Sequence, residues 1–141
     1  VAQADIKGFY DNIDATQTAL YAAGCGYSWP LLRAAVGLQM LATTTLHAKG
    51  KSVQVSRRTR SVITGSRCAK EFGAIIVTSV AEEVASENAH FAIRFGESAL
   101  LVAAWVDNIV AYGHWAKVAT DVLDCFDIVL KDSWGLHLKE G

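Results

Sequence analysis

A chain of 141 residues, 52% hydrophobic and 19% charged, can bury one core of ordinary domain size and is too short for two well-built ones. No apolar run reaches the roughly 20 residues of a membrane-spanning helix, so the expectation is a soluble, intracellular protein without a membrane partner. The formal net charge of −1 argues against a protein that holds nucleic acid by overall charge alone.

The elements follow in chain order. "VAQADIKGFY" predicts a strand running into a turn at Lys7–Gly8, and it begins on Val1 rather than Met, the expectation for a piece of a longer chain. Asp14 with Gln17 three residues on predicts a capped helix over "DATQTALYAAG". Ser28 and Pro30 start a second helix, with Leu32, Val36 and Met40 on its apolar face and a stop near Gly50. Val53 and Val55 alternate with polar neighbours as in a strand. Phe72, Ile76, Val80 and Val84 share one face of a long helix. Phe91, Ile93 and Phe95 alternate before Gly96, and "LLVAAWVDNIVAYG" reads as two apolar arms joined by a turn at Asp107–Asn108. A last helix puts Val118, Val122, Phe126, Val129 and Leu130 inward and Lys117, Asp121, Asp124 and Lys131 outward. No repeat or Pro-rich linker interrupts the series, which predicts one α+β domain, an antiparallel sheet with helices packed on one face.

Charge and cysteine usage narrow the chemistry. Seven basic residues and no acid lie between Lys49 and Lys70, while the remaining chain holds six basic residues and all fourteen acids. Arg57, Arg58 and Arg60 are the centre of this segment, which reads either as a nucleic-acid face or as a solvated loop. Cys25, Cys68 and Cys125 are odd in number, far apart and without C-x-x-C spacing, so buried free thiols are expected rather than disulfides or a zinc site.

Asp5, at the end of the first strand, and Asp107, at the hairpin turn, occupy matching positions. If the two strands are neighbours, their carboxylates project together and offer oxygen ligands to divalent cations. Two such ions about 3.5–4 Å apart serve phosphoryl transfer by activating the attacking oxygen and stabilising the leaving one.

In order, these segments resemble the palm of a reverse transcriptase, an RNA-directed DNA polymerase of the retrotransposon or group II intron kind. "ADIKGFYDNID" is similar to the first palm motif, "RSVITGSRCAKEFGAIIV" to the second, "FAIRFGESALLVAAWVDNIV" to the aromatic-x-Asp-Asp hairpin, and "VLDCFDIVLKDSWGLHLKEG" to the fourth. The resemblance spans nearly the whole chain and implies a polymerase palm-like fold whose fingers and thumb belong to a longer parent. It implies Asp5 and Asp107 as catalytic metal ligands for two Mg2+ or Mn2+ ions, Tyr10 as a steric gate selecting deoxynucleoside triphosphates, and Gly65 and Ser66 as a nucleotide-contacting turn. Lys139 falls near the position of a general acid. The implied partners are an RNA template and a DNA primer. Asn108 stands where the second Asp of the hairpin is usual, and Thr64 where a longer polar side chain is common. The alternative is therefore an inactive relic that acts at most as a nucleic-acid-binding module.

Overall fold

The computed structural model describes residues 1–55 and 60–139 and is an α+β protein with five helices and three small antiparallel sheets. Its chain divides into two units, Val1–Phe9 with Gly73–Gly141, and Tyr10–Phe72. Among the described residues no helix is long and apolar enough to cross a membrane.

In the first unit, β1 (Ala2–Asp5), β6 (Val102–Trp105) and β7 (Asn108–Ala111) form a sheet in the order β1-β7-β6, with β4 (Ile93–Phe95) and β5 (Ser98–Leu100) as a separate hairpin. The alternation of β7 decides the faces. Ile109 and Ala111 are fully buried, whereas Asn108 and Val110 are half-buried on the opposite side. Helix α5 (Ala116–Trp134) packs against β1 and β7. Its Val122, Phe126, Val129 and Leu130 are buried and Val118 is half-buried, as the spacing predicts. Lys117 and Asp121 pair at 2.7 Å on its solvent side. The long helix α4 (Arg67–Glu87) buries Phe72, Ile76, Val80 and Val84. Trp134 buries its indole and donates Nε1–H to Ser79 Oγ at 3.1 Å, so the one polar atom of the ring keeps a partner.

Gly135 ends α5 in the left-handed region at φ 65°, where a side chain would be strained, and the chain doubles back beside β1. There Ile6 bridges Leu138, Lys7 N–H donates to His137 O at 2.8 Å, and Lys139 N–H donates to Asp5 O at 2.7 Å. Asp127 fixes the return by accepting from Leu138 N–H at 2.6 Å. The end of β1 is thus held on both sides.

The second unit holds α1 (Phe9–Asn12, entered from the first unit), α2 (Ala15–Gly24), α3 (Trp29–Leu41), the hairpin of β2 (Thr44–Ala48) and β3 (Lys51–Val55), and the start of α4. Asp14 caps α2 by accepting from Gln17 N–H at 3.0 Å. Helix α3 ends at Leu41, nine residues before the expected stop at Gly50. The Thr43–Thr45 run is β-branched and stiff, and residues 44–48 gain a ladder by pairing with β3. On α3 the buried positions are Leu32 and Gln39, while Met40 is 43% exposed. The thiols also depart from expectation. Cys25 is exposed just past the end of α2, and Cys68 and Cys125 are half-buried.

Gln39 is 4% exposed and uses both ends of its amide: Oε1 accepts from Ile63 N–H at 2.7 Å and Nε2 donates to Ser66 Oγ at 3.1 Å. Replacing it with Leu leaves that backbone N–H without a partner and is expected to cost about 1–3 kcal/mol of stability. Urea denaturation followed by circular dichroism checks this. A loss well below about 1 kcal/mol would show that these two hydrogen bonds are dispensable.

Candidate active site

The β6–β7 hairpin places its two-residue loop at Val106–Asp107, with Trp105 opposite Asn108 in the ladder. The turn thus comes one residue earlier than expected, and Asn108 is the first residue of β7. Turn propensity favours Asp-Asn, yet the register is set by pairing, and a shift by one would send Ile109 and Ala111 out of the core. Val106 adopts φ 60° while Asp107 does not have a positive φ, the pattern of a turn that prefers Gly at its first loop position. For a β-branched residue this conformation costs about 1–2 kcal/mol. Strain of this kind gathers at functional sites.

Asp5 pairs with Asn108 across the β1–β7 ladder, and Ile6 N–H donates to Asp107 O at 2.7 Å. Asp5 and Asp107 therefore stand at the same end of one sheet on hydrogen-bonded neighbouring strands. Directly opposed residues share a face, so Asp5, Asn108 and Trp105 form a row on the side away from Ile109. Both aspartates are half-buried. Lys139 Nζ lies 3.4 Å from Asp5 Oδ2 in a pair whose side chains are 53% and 45% exposed, so the pairing is worth little to stability and can open. An open groove of about 520 Å³ runs beside it, lined by Gln3, Asp5, Asp124, Asp127 and Lys139 among others.

Asn108 Oδ1 is buried and has no hydrogen-bond donor. Such atoms are rare in folded proteins and mark a place where a ligand or water completes the structure. Among the described residues no group of three His, Cys, Asp or Glu side chains could hold an ion. A two-carboxylate set is still the donor chemistry of magnesium, which keeps several waters and binds through one or two carboxylates plus substrate phosphates.

The other expected residues belong to the second unit. Tyr10 is half-buried in α1, and its carbonyl accepts from Val62 N–H at 2.9 Å. Gly65, at φ 86°, and Ser66 form a turn that opens α4, and the exposed Gly65 has open space where a Cβ would stand. Arg60 is exposed. Arg57 and Arg58 lie outside the described residues. The sequence reading missed Gln39, which holds Ser66 in place. Its signal was position: Leu32, Val36 and Gln39 follow the i, i+4, i+7 stripe, and a polar residue on a buried stripe has a polar partner. It also missed Asp127, which seats the strand that carries Lys139.

No protein-family model matches the chain, and no curated protein matches it.

Proposed function

We propose that the chain is the palm of an RNA-directed DNA polymerase of retrotransposon or group II intron type, with fingers and thumb supplied by a longer polypeptide. The observation that carries this reading is that Asp5 and Asp107 stand at the same end of the β1-β7-β6 sheet on neighbouring strands, Asp107 in a strained two-residue turn. In the reaction, the 3′-oxygen of a DNA primer, paired to an RNA template, attacks the α-phosphorus of a deoxynucleoside triphosphate. One P–O bond forms, and the bond to the leaving pyrophosphate breaks.

Asp5 and Asp107 would hold two magnesium or manganese ions. When bound, these supply Lewis acidity, easing loss of the primer hydroxyl proton and offsetting charge on the leaving oxygen. The chain's own residues position the rest. Lys139 balances Asp5 in the absence of other cations and is exposed enough to turn towards a phosphate. Gly65 permits close backbone approach to a nucleotide, and Gln39 fixes the rotamer of Ser66 beside it. By the resemblance, Tyr10 would fill the space that a ribose 2′-hydroxyl needs.

A second reading, a relic that binds nucleic acid without chemistry, is favoured by one feature: the amide of Asn108 in place of a carboxylate. Primer extension separates the two. A polypeptide containing this palm is expected to extend a DNA primer on RNA in magnesium, and Tyr10→Ala to raise ribonucleotide use relative to deoxynucleotide use by about 10–200-fold, the range a pocket's steric fit commands. A folded parent that adds no nucleotide under any metal would establish the relic.

A further inference from the structure

The β2–β3 hairpin is a free-standing ribbon. It has no substantial packing partner among the described elements, and its described side chains from Thr45 to Gln54 are exposed. An isolated two-stranded hairpin is marginal in water, so this one needs good local design or a partner. Its design is sound. Lys49 and Gly50 both have positive φ, 48° and 73°, as the tightest hairpin turn requires. Leu46 and Val53 face each other across the ladder as an apolar pair that fixes the register.

The other face is polar from end to end. Thr45 pairs with Gln54 and His47 with Ser52, and His47 Nδ1 and Ser52 Oγ are 2.7 Å apart. Lys49 and Lys51 stand at the tip, and neither forms an ion pair among the described residues. The surrounding sequence has the same sign: between Asp14 and Glu71 there are eight basic residues and no acid. Charge complementarity therefore selects a polyanion.

We infer that the β2–β3 ribbon enters the major groove of double-stranded DNA, with Lys49 and Lys51 on the phosphates and Thr45, His47, Ser52 and Gln54 towards the base edges. Dimensions and chemistry both select this partner. Two strands about 4.8 Å apart with short side chains suit a groove about 12 Å wide, which admits a β-ribbon. Thr, Ser and Gln are donors and acceptors of the kind that read base edges there. An RNA duplex buries its major groove beyond the reach of side chains. A single strand calls for aromatic stacking platforms, and the ribbon's only ring is His47. This inference is independent of the polymerase reading, since it assigns duplex DNA to a surface that lacks catalytic groups.

Fluorescence anisotropy of the full chain with a labelled DNA duplex, an RNA duplex of the same sequence and a single DNA strand tests it. The DNA duplex is expected to bind at least about tenfold more tightly than the RNA duplex. The double variant Lys49→Glu, Lys51→Glu should weaken DNA binding about tenfold or more and lower the salt slope by about two. Thr45→Ala with Gln54→Ala should erase the preference for DNA while leaving the slope unchanged. Equal affinity for both duplexes, or affinity indifferent to the lysine reversals, overturns the proposal. So does a chain that ignores DNA and instead self-associates through Leu46 and Val53, an association that Leu46→Ser would abolish.

Discussion

On the proposed polymerase reading, Asp107→Asn is expected to abolish primer extension by a polypeptide containing this chain, with a fall of at least about a thousandfold, equivalent to about 4 kcal/mol of lost transition-state stabilisation. The amide keeps an oxygen but loses the charge that balances a divalent ion. Its size is unchanged, and the main-chain bond from Ile6 N–H to Asp107 O does not involve the side chain, so the hairpin should persist. Unchanged circular dichroism with lost extension and lost manganese binding by calorimetry supports the assignment. Retained extension would remove Asp107 from the site. Asn108→Asp should have the opposite profile. It places carboxylate oxygen where Oδ1 is now buried and without a donor, so the protein should melt at a lower temperature without divalent ions and recover when magnesium is added. Extension should be equal or higher.

Phe126→Ala is expected to cost about 3–5 kcal/mol, because a fully buried ring is replaced by a cavity in a packed core. Domains of this size have a total stability of about 5–15 kcal/mol, so much of the population should unfold near physiological temperature. On the opposite side of the same helix, Ile128 is 59% exposed, and Ile128→Ala should change stability by no more than about 0.5 kcal/mol. Equilibrium urea unfolding of the pair checks both. Similar losses for the two would mean that α5 does not present the face described.

What could be read from the sequence was what periodicity controls. Phe72, Ile76, Val80 and Val84 repeat at helical spacing for long enough that no other structure buries them together, and α5 follows the same logic. The apolar arms around Asp107 likewise had one economical arrangement, a hairpin, and Asp5 came to lie beside it because β1 carries small residues, Ala2 and Ala4, opposite Ala111 and Ile109. Three features were hidden for physical reasons. The end of α3 depended on β2 finding a partner seven residues further on, which no local propensity encodes. The turn position was decided by register against the core, and a valine at positive φ contradicts every local preference. Gln39 stayed hidden because its role lies in the Ile63 N–H and Ser66 hydroxyl that it meets across 24 and 27 positions of chain.

Trp105 stands opposite Asn108, one residue from the strained Val106, and is 81% exposed, whereas Trp134 is 7% exposed inside the first unit. The protein thereby carries two optical probes of different colour. Indole in water emits at longer wavelength than indole in a core, so the red edge of the emission reports on the hairpin and the blue edge on global unfolding. Subtracting the spectrum of Trp105→Phe isolates the first signal from Trp29 and Trp115, which are 47% and 75% exposed. Titrating manganese, a paramagnetic quencher, would then turn proximity to Asp107 into a loss of light at the red edge alone, without labelling the protein.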